Sequence, residues 1–168
     1  MPKRIECRGM GPADAQIYQT LRLEGFRLEP RGFRYTPEDE ANLPLADVEA
    51  RLRRDHVVGA FAENALVGVG GLAFSNGLKT EHKALLYGMY IRNAFRGAGV
   101  GDSIMEQLMH VARGRVEIVT LTVVSQNTRA RGFYERWGFR AYGVEERAIK
   151  LTDRDYLDET LMALRMEM

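Results

Sequence analysis

The sequence predicts an α/β (α+β) protein, a mixed sheet with helices on both faces. Three observations carry this. Strand-like segments fill much of the first half, and strand–helix–strand–helix–strand–strand follows, an order that a fully parallel doubly wound fold does not give. Ala84–Arg92 is an almost unbroken apolar run, and Val116–Val124 is β-branched and apolar on both faces, as buried central strands are. Between them Val100, Ile104, Leu108 and Val111 recur at helical spacing.

Each element has its own reason. Ile5–Arg8 is a short first strand. Pro12–Phe26 is a helix, with Pro12 in its first turn and Ile17, Leu21 and Leu28 as its apolar stripe. Pro30–Asn42 is polar, contains Pro and Gly, and reads as a loop carrying Phe33 and Tyr35. Leu45–Arg54 is a second helix, with Leu45, Val48 and Leu52 on one side. His56–Ala62 and Ala65–Ser75 are strands joined by a hairpin turn at Glu63-Asn64. Asn76–Lys83 is a loop before the apolar strand. Gly99–Arg113 and Asn127–Trp137 are helices on either side of Val116–Val124. Phe139–Val144 and Thr160–Met166 are the last strands, the latter alternating Thr160, Met162, Leu164, Met166.

A chain of 168 residues suits a single domain, 1–168, and buries roughly 70% of its unfolded surface without staples. The net charge of +1 gives no broad pull toward nucleic acid or a membrane. Cys7 is the only cysteine, which excludes an intramolecular disulfide and suits a reducing compartment. The N-terminus lacks the apolar core of a signal peptide, and no apolar run approaches the ~18 residues that a spanning helix needs. A cytoplasmic location, no metal site, and a monomer or homodimer are expected. The Met- and Leu-rich last strand is the candidate for pairing between subunits.

The chemistry concentrates at Arg96-Gly97-Ala98-Gly99-Val100-Gly101. A glycine loop from strand to helix leaves N–H groups free at the positive end of the helix dipole, a ready anion site. A dinucleotide fingerprint wants Gly-x-Gly-x-x-Gly near the first strand, whereas the spacing here is Gly97-x-Gly99-x-Gly101, past the middle of the chain. A P-loop wants Gly-Lys-Ser/Thr, whereas Asp102-Ser103 follows Gly101. Some thirty residues on, Asn127 is placed to cap a helix whose one face carries Ala130, Phe133, Tyr134 and Trp137, and Gly138 to end it.

Together these residues resemble the GCN5-related N-acetyltransferases (GNAT). Arg96, Gly99 and Gly101 match the Arg/Gln-x-x-Gly-x-Gly/Ala motif of that superfamily. Asn127, Ala130, Tyr134, Gly138 and Phe139 match its Asn-x-x-Ala-x-x-x-Tyr-x-x-x-Gly-Phe motif. The stretches Leu21-Arg-Leu-Glu-Gly25, Arg147–Lys150 and Tyr156–Glu159 are similar to a bacterial subgroup of uncertain substrate. The resemblance implies a mostly antiparallel sheet of six to seven strands with about four helices, and acetyl-CoA as donor. The pyrophosphate would take N–H groups from Gly97 to Asp102, with Ala98 and Val100 among them. The pantetheine arm would pair with Met89, Tyr90 and Ile91 where the fourth and fifth strands diverge, and Gly88 fits a bulge there. Asn127 would contact that arm, and Tyr134 would act as general acid on the departing thiolate.

The expected reaction is acetylation of a primary amine, of a small molecule in the leading reading. The resemblance implies a strand-five glutamate in some relatives at the position of Thr122, which cannot be a base, so Glu24, His82, Tyr87 and Glu145 are the candidates, with water as an alternative. For the acceptor, Glu24, Phe33, Tyr35 and Tyr87 are the candidate contacts. Acetylation of a protein or peptide, a non-catalytic acyl-CoA sensor, and a nucleic-acid binder resting on Arg129, Arg131, Arg136 and Arg140 are the competing readings.

Overall fold

The computed structural model describes residues 3–167. Met1, Pro2 and Met168, the ends of the expected domain, lie outside the described residues. The strands are β1 (Ile5–Gly9), β2 (His56–Ala62), β3 (Ala65–Phe74), β4 (Lys83–Ile91), β5 (Ile118–Val124), β6 (Arg140–Thr152) and β7 (Asp155–Arg165). The helices are α1 (Ala15–Leu28), α2 (Pro37–Ala41), α3 (Leu45–Arg54), α4 (Val100–Ala112) and α5 (Thr128–Arg136). The strands form one sheet in the order β1-β2-β3-β4-β5-β7-β6. Every neighbouring pair is antiparallel except β4 and β5.

Period-two alternation places two cores on the sheet. One face packs against α4 and α5, with Ile104, Met105 and Leu108 fully buried against Val58, Leu72, Leu121 and Met162. The other packs against α1 and α3 through Tyr18, Leu21, Val48, Val57, Val69 and Tyr90. The expected mixed sheet with helices on both faces is what forms. Glu63 and Asn64 carry φ of +49° and +70°, the two left-handed residues that a tight hairpin needs.

Several expectations need correction. Pro12–Asp14 is a 3-10 turn, and α1 runs from Ala15. Its buried stripe is Ala15, Tyr18, Leu21, Arg22, Gly25 and Phe26, whereas Ile17 and Leu28 face solvent. Within Pro30–Asn42, Thr36 accepts from the Asp39 N–H and starts the short α2, so that segment is not all loop. The final strands are much longer than Phe139–Val144 and Thr160–Met166, and form a hairpin turning at Asp153-Arg154. β7 lies between β5 and β6, so both its edges are taken and it cannot pair between subunits. No helix among the described residues is long and apolar enough to cross a membrane.

Candidate active site

β4 and β5 are hydrogen-bonded neighbours only at Lys83–Ile118, Ala84–Val119 and Leu85–Thr120. Past Leu85 they part. The cause lies in β4: three β3 residues, Val69 to Gly71, face four β4 residues, Tyr90 to Tyr87. The extra residue is a bulge, and Gly88 within it takes φ +66°. Bulges bend and twist their strand, and here the bend leaves the edge from Leu86 to Ile91 without a β5 partner. The gap opens into a cleft of about 960 Å³ that reaches both faces of the sheet.

At one end of the cleft stands the glycine loop. Gly97 and Gly99 take φ of +78° and +79°, and a Cβ on either would meet nothing within 4 Å. The first bond of α4 runs from the Ser103 N–H to the Gly99 carbonyl at 3.0 Å. The preceding amides therefore have no intrahelical partner and face outward at the positive helix end. A Cβ on Gly101 would lie 3.3 Å from the Phe133 ring, so that glycine serves the close approach of α5. The Trp137 indole donates to Asp102 at 2.9 Å and ties the same two helices. Arg96 donates to the Ile91 carbonyl at 2.9 Å and to Glu29, which also lies 3.7 Å from Arg129.

The Asn127 side chain accepts from the Ala130 N–H at 3.2 Å, the expected cap, and Gly138 at φ +96° ends the helix as expected. Tyr134 is 9% exposed and stands at the cleft wall among Phe133 and Phe139. Burial alone pushes its phenol above the ordinary tyrosine range, so it holds its proton.

Met89, Tyr90, Ile91, Arg96, Gly97, Gly99, Val100, Gly101, Asp102 and Asn127 all line this cleft with Tyr134; Ala98 is exposed and does not. Phe33 and Tyr35 line its other end, Phe33 packed edge-on against Phe26 at 5.2 Å and Tyr90 at 6.2 Å. Thr122 is exposed on the wall.

The base candidates fare worse. Glu24 points away from the cleft and pairs with Arg92 at 2.8 Å. His82 precedes the end of β4 that is still paired to β5, so it is not at the gap. Glu145 is exposed on β6 and outside the cleft lining. Tyr87 lines the cleft but donates a hydrogen bond to Asp55 at 2.6 Å, and burial pushes its pKa far up, so it keeps its proton and is no base.

The sequence reading missed a charged end of the cleft, opposite the glycine loop. Arg22 donates to Glu40 at 3.0 Å, both nearly fully buried. Asp55 takes Tyr87 and Arg54, the latter at 2.9 Å. Glu159, buried on β7, accepts from Arg34 at 2.6 Å. Glu159 had a readable signal, since it stands between Leu157 and Leu161 on one face of an alternating strand. Asp55 and Glu40 had none. Among the described residues no cluster of three or more His, Cys, Asp or Glu side chains is placed to hold a metal ion.

A mixed sheet that opens between two parallel central strands, with a helix N-terminus at the opening, is an N-acetyltransferase scaffold. Residues 16–139 match the acetyltransferase (GNAT) family, and the chain belongs to it. Members of this family use acetyl-CoA. Over 101 residues the chain is 29% identical to the N-alpha-acetyltransferase RimI of Mycobacterium tuberculosis, covering 60% of this chain and 62% of that one. Over 61 residues it is 36% identical to the 5-NmdU N-acetyltransferase of Pseudomonas phage PaMx11, covering 36% of this chain and 42% of that one. The matches thus span less than two thirds of either relative. A GNAT-family acetyltransferase structure from Streptococcus pneumoniae superposes with a TM-score of 0.86 at 21% identity, over 98% of this chain and 100% of that one, which establishes the fold.

Proposed function

We propose that this chain, acting as a single domain, transfers the acetyl group of acetyl-CoA to the primary amine of a small molecule. The observation that carries the reading is the convergence of the β4–β5 gap, the outward-facing amides of the glycine loop and the Tyr134 phenol on one cleft. The residues suit the donor. Open space beside Gly97 and Gly99 admits a pyrophosphate, and the amides from Gly97 to Asp102 would hold it. The free edge at Met89, Tyr90 and Ile91 offers backbone partners to the pantetheine amides, with Asn127 alongside. Arg96 would complete the anion site.

When bound, acetyl-CoA supplies an activated thioester. Tyr134, kept protonated by its burial, would donate to the sulfur as it departs. The small-molecule reading is supported by the segment between α1 and α2, which is strapped over the acceptor end. Arg31 pairs with Asp155 at 2.7 Å and Arg34 with Glu159. A second reading, acetylation of a protein α-amino group, is favoured by the likeness to RimI.

The test is release of free thiol from acetyl-CoA against ethanolamine, putrescine, alanine amide and an alanyl tetrapeptide, with donor binding measured by calorimetry. Amine-dependent release is expected, faster with the small amines. Preference for the tetrapeptide would favour the second reading. Tight donor binding without release would leave a sensor, and no donor binding would overturn the reading.

A further inference from the structure

An aliphatic amine reaches a neutral-pH enzyme as an ammonium ion and must lose a proton before it can attack. Six carboxylates line the cleft: Glu29, Asp39, Glu40, Asp55, Asp102 and Glu159. Glu29 and Asp102 stand at the glycine-loop end, held by Arg96 and Trp137. Asp39 is exposed and accepts the Thr36 N–H as part of a helix cap. Glu40 is held by Arg22 and Arg51 together, and Asp55 by Tyr87 and Arg54.

Asp55 is as deeply buried as Glu159 and its arginine is also exposed, but Asp55 accepts the Tyr87 hydroxyl as well, whereas among the described residues Glu159 has Arg34 alone. Glu159 stands opposite Val124 in the register of β7 against β5, the strand that borders the gap. Its side chain is 4% exposed, and its one charged partner is Arg34, a loop arginine 45% exposed. Strand alternation puts Glu159 on the Thr122 and Val124 face, opposite the Val123 face where Tyr134 packs. The carboxylate and the phenol therefore flank the gap from its two sides. Glu145, paired across from Glu159 on β6, and Tyr35 are the titratable groups that share Arg34 with it, while Arg22, Glu40, Arg51, Arg54, Asp55 and Tyr87 line the same end of the cleft.

We infer that Glu159 is the carboxylate that receives the ammonium group of the acceptor and takes its proton, the substrate cation replacing Arg34. The assignment rests on the acetyltransferase reading and specifies a cationic primary amine as its substrate class. A buried carboxylate needs a cation, and an arginine on a surface loop is one that an entering ammonium can displace. In the step, one N–H proton passes to Glu159, directly or through one water. The freed nitrogen pair forms the C–N bond at the thioester carbonyl. The C–S pair leaves on sulfur, which takes the Tyr134 proton. The second proton lost from nitrogen restores the phenol through water, and Glu159 returns its own to solvent. One ammonium and one thioester thus give one amide, one thiol and one released proton.

The test compares wild type, Glu159→Gln, Glu159→Asp and Arg34→Gln with the best acceptor of the amine panel, across pH, with acetyl-CoA affinity read separately by calorimetry. Glu159→Gln is expected to lower kcat/KM for the amine on the order of 10²-fold or more near neutrality, with unchanged acetyl-CoA affinity. That deficit should shrink as pH approaches the ionisation of the amine itself, about 10. Glu159→Asp should keep the carboxylate-dependent pH profile at a reduced rate, which guards against a Gln variant that fails to fold. Arg34→Gln should keep a carboxylate-dependent pH profile, its acid limb moved to higher pH because the buried carboxylate has lost its resting cation. A deficit equal at every pH, or shared equally by Arg34→Gln and Glu159→Gln, would make the pair a structural tie and overturn the assignment. Release by Glu159→Gln equal to wild type would do the same. No amine-dependent release from wild type would instead sink the acetyltransferase reading on which the assignment stands.

Discussion

Tyr134 shows how far one residue can be argued. Its place four residues before Gly138 and seven after Asn127 puts it on the inner face of α5, where burial alone keeps its proton on. In its proposed role, Tyr134→Phe lowers kcat by about 10²–10⁴-fold while acetyl-CoA affinity stays unchanged, as steady-state kinetics and calorimetry would show. The raised pKa also means that ionisation of Tyr134 imposes no basic limb on the rate below the ordinary tyrosine value of about 10. Asn127, Gly138 and Tyr134 were legible in the sequence because caps and helix faces are set by neighbours within a few residues. Asp55 and Glu40 were not, because each takes its meaning from a distant partner. Asp55 meets Tyr87 across 32 positions, and Glu40 meets Arg22 across 18. Tyr87 looked like a base by its type alone, and only the contact with Asp55 shows it to be a hydrogen-bond donor.

Among the elements, β4 decides most. Its apolar run marked a strand, and Gly88 marked the place of its bulge, but the parting from β5 is a property of three strands together. An alanine at Gly88 would hold φ +66° at a strain of about 1–2 kcal/mol. Its Cβ would also stand 2.8 Å from the Arg22 guanidinium. Urea unfolding of Gly88→Ala should report a loss of at least that strain, and an unchanged midpoint would contradict a left-handed residue at this point of β4. The α1 stripe was misread for a related reason. Its buried face carries Arg22, neutralised by Glu40, and Gly25, where a Cβ would sit 3.1 Å from the Tyr90 ring. A hydrophobic pattern finds neither. The expected strand stopped at Val144 because the charged run Glu145-Glu146-Arg147 breaks the apolar pattern, while in the structure Arg147 takes φ +55° inside a continuing strand.

For the whole molecule, burial of two phenols ties stability to pH. Tyr87 and Tyr134 both titrate above the ordinary value in the folded chain, chiefly through desolvation. Above about pH 10 the unfolded chain gives up these protons while the folded chain holds them, so stability falls as pH rises. Urea unfolding at about pH 8 and about pH 11 should show this fall, smaller in Tyr134→Phe than in wild type. The overall architecture was legible because element order and two central apolar strands already demanded a mixed sheet, and the family motifs fixed where it opens. The most direct test of that opening as the donor site is acetyl-CoA titrated into isotope-labelled protein, followed by amide NMR. The largest shifts should fall on Gly97, Gly99 to Asp102 and Met89 to Ile91. Binding that leaves those amides unmoved, with shifts elsewhere, would contradict the site.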